Sequence, residues 1–312
     1  MKEIANGVWP TMITPFTEDG KIDYAMVEKL VEWYIERGVA GIFAVCQSSE
    51  MFFLTAEERV ELAAFIVKKV NGRVGVVASG HCADDLDEQI AGIEAMAKTG
   101  VDNVVLLPNR FAKADEGDDV LLKNLKYVLD RVSPEISFGF YECPYPYKRV
   151  LTPEVISFCA DTGRFTFMKD TCCDADLINA KIRAGKGVIK LFNANCAQLL
   201  QTLRAGASGF SGVMANFHPE AYAWLCKNYE AQPELAEKLQ DYLGVVSAIE
   251  GRQYPVCAKK YIKTFHFPEM SDYTRSSNRD NFVPSFYTEV LSFNALYKAH
   301  MACLGLDFGV KL

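Results

Sequence analysis

Residues 164–173, "RFTFMKDTCC", decide how the chain is read. The stretch opens as an alternating, strand-like run, Phe165-Thr166-Phe167-Met168, and then places Lys169 where the strand should end. Burying a lysine there is costly, because moving its pKa from about 10.4 to neutrality near pH 7 takes roughly 4 to 5 kcal/mol. A fold accepts that cost only for compensation. A neutral amine is a nucleophile for carbonyls, and the iminium it forms draws electrons from the adjacent carbons. Two plainer readings stand beside this one: an ion pair with neighbouring Asp170, or a solvated lysine on a rim.

Working outward, short apolar runs recur along the chain: "GVWPTMITPF" (7–16), "AGIFAVC" (40–46), "RVGVVASG" (73–80), "DNVVLLP" (102–108), "ISFGFYE" (136–142), "GVIKLFN" (187–193) and "ASGFSGVMA" (207–215). With the opening stretch they make eight candidate strands, too short and too continuously apolar to be amphipathic surface strands. Segments of helical period lie between them, such as "DYAMVEKLVEWYIERG" (23–38) and "TAEERVELAAFIVKKVNG" (55–72), each with a capping residue at its start and glycine at its end. Alternation at roughly 20 to 35 residues per unit predicts an α/β fold, a (β/α)8 TIM barrel, rather than a doubly wound sheet with a glycine-rich phosphate turn. No GxGxxG or Walker A pattern occurs. The barrel and its active site are expected over residues 1–222. Residues 223–312 read as a C-terminal helical extension, interrupted by the polar, turn-rich "FPEMSDYTRSSNRDNFVPS" (267–285), expected as a surface loop.

Composition narrows the function. The chain has 312 residues, half of them hydrophobic, and a net charge of -7. Without a basic run it offers no surface for nucleic acid. No stretch approaches about 20 uncharged apolar residues and no signal peptide opens the sequence, so a cytoplasmic protein away from membranes is expected. The ten cysteines are dispersed and form no CxxC pair, reading as reduced core thiols. The four histidines include no HxxxH spacing, so neither a metal nor a cofactor is expected. His81 reads as a hydrogen-bonded structural histidine rather than a ligand, and Cys82, Cys172 and Cys173 as packing thiols.

In such a barrel the C-terminal ends of the strands converge on the catalytic face. Lys169 closes the sixth strand and Tyr141 the fifth, where a phenol can shuttle a proton or merely pack. After the second strand, Gln47, Ser48 and Ser49 form a turn whose hydroxyls and backbone N–H groups can hold a carboxylate, or simply cap a helix.

Together these residues resemble the dihydrodipicolinate synthase / N-acetylneuraminate lyase family of Schiff-base aldolases. "PTMITPFTEDGKID" (10–23) is similar to its N-terminal signature, "QSSE" (47–50) to its carboxylate-binding turn, "YECP" and "MKD" to its tyrosine and lysine strands, and "GASGFSGVMAN" (206–216) to its eighth strand. The resemblance implies a pyruvate-like 2-oxo acid condensed on Lys169, its carboxylate on Ser48 and Ser49, and Tyr141 as acid/base group. It further implies backbone near Ser211 and Gly212 lining the site, Glu50 ordering the turn, and a homo-oligomer, tetramer or dimer. The chain departs from the family pattern at several points. Gln47 stands at the turn's first hydroxyl position, Ser49 where a glycine usually precedes the glutamate, and Asn109, Arg110 or Phe111 where a neighbouring subunit's tyrosine is usual. Pro146 stands where an arginine would hold the aldehyde's carboxylate. Arg149 or Arg110 could replace that arginine, and Asn193, Asn195 and Cys196 follow the seventh strand in place of sugar-binding acids. The reading is a lyase joining or splitting a 2-oxo acid and an aldehyde. A sugar-acid dehydratase, or an oxo-acid-binding regulatory protein without turnover, are the alternatives.

Overall fold

A computed structural model of the chain describes residues 3–310. Eight parallel strands form one sheet: β1 (Gly7–Val8), β2 (Gly41–Phe43), β3 (Gly75–Ala78), β4 (Asn103–Leu106), β5 (Phe138–Tyr141), β6 (Phe165–Asp170), β7 (Lys190–Asn193) and β8 (Gly209–Phe210). Neighbours pair in the order β1-β8-β7-β6-β5-β4-β3-β2. The seam between β1 and β2 is closed by Ala40 N donating to Val8 O (2.8 Å), Phe43 N to Pro10 O (2.9 Å) and Met12 N to Phe43 O (3.1 Å). The result is the expected (β/α)8 barrel, and all eight strands fall within the apolar runs.

The helices between strands are α1 (Tyr24–Glu36), α2 (Ala56–Val70), α3 (Leu86–Ala97), α4 (Asp118–Leu129), α5 (Pro153–Asp161), α6 (Ala175–Ala184) and α7 (Leu199–Arg204). Local chemistry sets their ends. Thr55 and Glu58 form a reciprocal capping box on α2, and Asn71, left-handed at φ 50°, ends it. α8 (Pro219–Asn228) packs on β1 and β8 as the eighth barrel helix, so position 222 falls within it. Beyond it, α9 (Pro233–Val246), α10 (Val256–Phe265) and α11 (Pro284–Leu304) form the C-terminal helices. Among the described residues no helix is long and apolar enough to cross a membrane.

Aromatic rings fill the barrel interior. Trp9 lies 5.5 Å from Phe167 and 5.8 Å from Phe192 between ring centroids, and Phe43 lies 6.0 Å from Phe167. A Cβ on Gly41 or Gly75 would come within 2.2 or 2.3 Å of the Trp9 ring, so these strands must approach it as bare backbone. A register shift between Phe138 and Gly139 interrupts strict alternation, and Phe165 stacks on Phe140 (5.0 Å, 10°) instead of joining Phe167.

Past that shift, the parallel register pairs Tyr141 with Lys169. Strand alternation then turns both inward and sends the next residues, Glu142 and Asp170, outward. There a single cation joins them: Lys181 Nζ of α6 donates to Glu142 Oε1 (2.5 Å) and Asp170 Oδ2 (2.6 Å), with all three side chains fully buried. Backbone N–H groups complete the network: Glu142 Oε1 also accepts from Leu151 N and Oε2 from Thr171 N (2.9 Å each), and Asp170 Oδ1 accepts from Cys172 N (2.9 Å). Burial and the Asp170 carboxylate hold the Glu142 carboxyl above its ordinary range. Burial alone would lower Lys181, but the two carboxylates outweigh it and raise its pKa.

Lys181→Met leaves two buried carboxylates without their cation and should cost about 3–5 kcal/mol in urea unfolding at neutral pH. A carboxyl whose pKa is raised in the fold weakens the fold above its unfolded value, and the loss is recovered as pH falls through the raised value. The deficit should therefore shrink on acidification; a pH-independent deficit would count against this account.

Candidate active site

At the C-terminal ends of the strands lies a cavity of about 560 Å³. Lys169, Tyr141, Gln47 and Ser48 line it, together with Phe52, Phe53, Tyr145, Lys148, Asn195, Cys196, Glu250, Tyr254 and Ser276. Lys169 is 3 % exposed, and among the described residues its ammonium has no hydrogen-bond or ion-pair partner. Its Nζ sits 4.2 Å from the centroid of the Tyr141 ring. Burial lowers the Lys169 pKa, opposed weakly by the Cys46 and Cys143 thiols and by Glu250. The ion pair with Asp170 considered from sequence does not form, because consecutive strand residues face opposite sides and Asp170 is bound to Lys181.

Tyr141 is buried against Phe43, ring centroids 5.7 Å apart, and its hydroxyl donates to Gln47 Oε1 at 3.2 Å. Burial pushes its phenol well above the ordinary value, so it is a neutral O–H donor. Cys143 also points its thiol at Gln47 Oε1 (3.5 Å), and burial pushes that thiol up to about 11.

The turn after β2 divides its serines between two tasks. Ser48 lines the cavity together with Tyr254, whose hydroxyl accepts from Asn216 Nδ2 (3.0 Å). Ser49, fully buried, turns its hydroxyl away to Met12 O (2.7 Å) and Ala44 O (2.8 Å) and braces the turn. Glu50 holds the left-handed φ of 62° and lies at a hub: Oε1 accepts from Lys259 Nζ (2.7 Å), and Oε2 accepts from the backbone N–H groups of Arg275 and Ser276 (2.7 Å each). Burial lowers the Lys259 pKa to about 8 even beside that carboxylate.

The polar segment expected as a surface loop is thereby drawn over the cavity. Glu50 binds its backbone, the Arg275 guanidinium forms two 2.7 Å bonds to Glu58, and Ser276 and Ser277 line the wall. The correction has a physical cause: the segment's polar groups are satisfied by barrel residues rather than by water.

Other positions singled out in the sequence lie elsewhere. Ser211 donates to Trp9 O (2.9 Å), and at Gly212 a Cβ would meet the Phe210 ring at 2.3 Å and Ala194 O at 2.7 Å; both are packed behind the wall. Asn193 bridges Thr202 Oγ1 (3.1 Å) and Asn195 N (2.7 Å). Arg110 pairs with Asp84 (2.5 Å) over the Phe52 ring, and Arg149 bonds Asp118 (2.8 Å) and the carbonyls of Lys113 and Glu116. Neither arginine lines the cavity. Besides Lys169, Lys148 does, the residue next to Arg149, donating to Thr171 O (2.6 Å). His81 Nε2 meets Gln89 Oε1 (2.7 Å) and Nδ1 accepts from Leu107 N (3.0 Å), while burial lowers its pKa to about 4, a structural role. All ten cysteines are free; Cys173, which lines the cavity, and Cys303 are both exposed and depart from the core reading. Among the described residues no group of three or more His, Cys, Asp or Glu could hold a metal ion.

Sequence reasoning missed Glu250, Tyr254 and Ser276, which come from the C-terminal region. No periodicity marks them, and only the path of the chain over the barrel mouth brings them in.

A barrel with a buried lysine and a tyrosine on adjacent strand ends defines a class of lyase scaffold. Residues 5–267 match the model of the Dihydrodipicolinate synthetase family. The chain is 27% identical over 218 residues to a 4-hydroxy-tetrahydrodipicolinate synthase of Clostridium perfringens, covering 70% of this chain and 73% of that one. Its fold superposes on the 4-hydroxy-tetrahydrodipicolinate synthase of Methylacidiphilum fumariolicum SolV with a TM-score of 0.84 at 20% identity, over 96% of this chain and 98% of that one. A prophage protein of the dihydrodipicolinic acid synthase family from E. coli K12, solved in complex with pyruvate, superposes with a TM-score of 0.81 at 22% identity, covering 97% and 99%. The chain belongs to the dihydrodipicolinate synthetase family and is a lyase-type enzyme of the class I aldolase kind.

Two outcomes follow from this geometry. Competitive acetylation from neutral to alkaline pH should place the half-reaction point of Lys169 below the ordinary 10.5, since burial disfavours its charged form; a midpoint at or above it would contradict the burial argument. Glu50→Gln should speed amide exchange at Arg275 and Ser276 at least about tenfold, because the carboxylate that both amides share is lost.

Proposed function

We propose that this enzyme forms an imine between Lys169 and a pyruvate-like 2-oxo acid and then joins that unit to an aldehyde or releases one from it. The observation that carries the reading is the unpartnered, buried amine of Lys169 set against Tyr141 at the cavity. The neutral amine adds to the C2 carbonyl, water leaves, and the resulting iminium acidifies C3. Loss of a C3 proton gives an enamine; its attack on the aldehyde carbon makes the new bond, the alkoxide takes up a proton, and water hydrolyses the imine to free the lysine. The reverse sequence cleaves the same bond.

Tyr141 is the proton-carrying group, its O–H held in place by the Gln47 carbonyl. Gln47 orients that phenol but, as an amide, does not ionise at ordinary pH. The Ser48 hydroxyl is the side-chain group of the turn available to the oxo acid's carboxylate, since Ser49 is committed to backbone carbonyls. The family resemblance extends the proposal to a cytoplasmic homo-oligomer, which the exposed rings of Phe53 and Tyr145 at the cavity mouth fit as a subunit contact.

Borohydride reduction with pyruvate should leave an adduct confined to the peptide carrying Lys169 and absent from Lys169→Ala. Tyr141→Phe should still trap pyruvate while exchange of its methyl protons with solvent falls roughly 10² to 10⁴-fold. Folded protein that traps no 2-oxo acid sinks the reading. Trapping with no proton exchange in the unmodified enzyme would favour a binding protein without turnover.

A further inference from the structure

The cavity is far larger than a three-carbon acid needs and lies within the volume range of sites that hold drug-sized ligands. The space beyond Lys169 is therefore where a second reactant sits, and its walls differ in chemistry. One wall is apolar and aromatic: Phe52, Phe53, Pro144 and Tyr145, with the Phe52 and Tyr145 rings 4.8 Å apart. Other lining groups are polar. Among the described residues the Glu250 carboxylate has no hydrogen-bond or ion-pair partner, and the Ser276 hydroxyl is buried without one.

Of the two carboxylates on the cavity wall, Glu50 is committed to Lys259 and the backbone N–H groups of Arg275 and Ser276, leaving Glu250 to meet a ligand. Although Glu250 is open to the cavity, the surrounding protein raises its carboxyl pKa, with Lys169 pulling the other way. Besides Lys169, the cation lining the cavity is Lys148; it and Glu250 are both solvent-exposed, and Lys148 already donates to Thr171 O (2.6 Å), which takes up part of its donor capacity. Neither arginine near the mouth reaches the cavity, each guanidinium being bound to an aspartate.

We infer that Glu250 reads the acceptor aldehyde, accepting a hydrogen bond from a hydroxyl on it and turning away acceptors that carry a carboxylate. This rests on the imine reading above and adds the acceptor's class: an uncharged hydroxyaldehyde. A hydroxyl donating to an ionised oxygen makes a stronger bond than one between neutral partners, whereas a second carboxylate in the same space meets like charge. A site that hydrogen-bonds a substrate hydroxyl discriminates strongly against analogues lacking it, because the site's own polar group is then left unpaired. Sugar-type and aromatic hydroxyaldehydes share this chemistry, and the apolar wall decides between them.

The test uses the full chain and E250Q with pyruvate and matched acceptors: glyceraldehyde against succinic semialdehyde, and 2-hydroxybenzaldehyde against 2-carboxybenzaldehyde. Aldehyde consumption gives kcat/KM for each. The unmodified enzyme should favour the hydroxylated member of at least one pair by tenfold or more, and E250Q should lose at least tenfold of that ratio through KM, with E250D restoring part of it. The pair that responds identifies the sugar-type or the aromatic source. Borohydride trapping of pyruvate on Lys169 runs beside it. If the unmodified enzyme traps no pyruvate, the imine reading falls and this inference with it. If it traps pyruvate but carboxylated acceptors react as well, E250Q keeps the ratio, or no hydroxyaldehyde is consumed, the role of Glu250 alone is overturned.

Discussion

The Lys181 ammonium between Glu142 and Asp170 is the interaction on which the site depends. Each carboxylate directly follows an inward-facing residue, Glu142 after Tyr141 and Asp170 after Lys169. Anchoring both on one buried cation fixes the ends of β5 and β6 relative to each other, and strand alternation then aims the phenol and the amine into one space. The same network answers the question posed by "FMKD". Asp170 spends its charge on α6 outside the barrel, so Lys169 stays unpaired inside it.

A second hub, Glu50, ties the C-terminal region to the barrel. One carboxylate joins the turn that presents Ser48, the Lys259 ammonium of α10, and the backbone of the polar segment at Arg275 and Ser276. The C-terminal helices are thus a working wall of the cavity as well as an extension packed on the barrel. The segment between α9 and α10 brings it an acid, Glu250, and a second phenol, Tyr254.

The barrel was legible because each of its parts has a local signature. Eight short apolar runs, helices opened by residues such as Asp23 and Thr55, and glycines at the helix ends report the alternation directly. Lys169, Tyr141, Gln47 and Ser48 were legible because strand ends share one face of such a fold, and all four line the cavity. Ser49, Asn193 and Ser211 sit on the right elements, but hydrogen bonds to the barrel's own groups turn their side chains away. Arg149 and Lys148 are adjacent, and only the course of the loop after β5 sends the lysine to the cavity and the arginine to Asp118.

Sequence alone determined the architecture, the direction of the strands and the face on which chemistry could occur, because period, capping and strand parity are local and repeat along the chain. The tertiary structure decided which charges are spent and which are free. Lys181 and Lys259 are consumed by buried carboxylates, Arg110 and Arg149 by aspartates near the mouth, and Lys169 and Glu250 are left facing the cavity. Pairing depends on distances between residues far apart in the chain, from 11 positions for Lys181 and Asp170 to 209 for Lys259 and Glu50, and no local pattern encodes them.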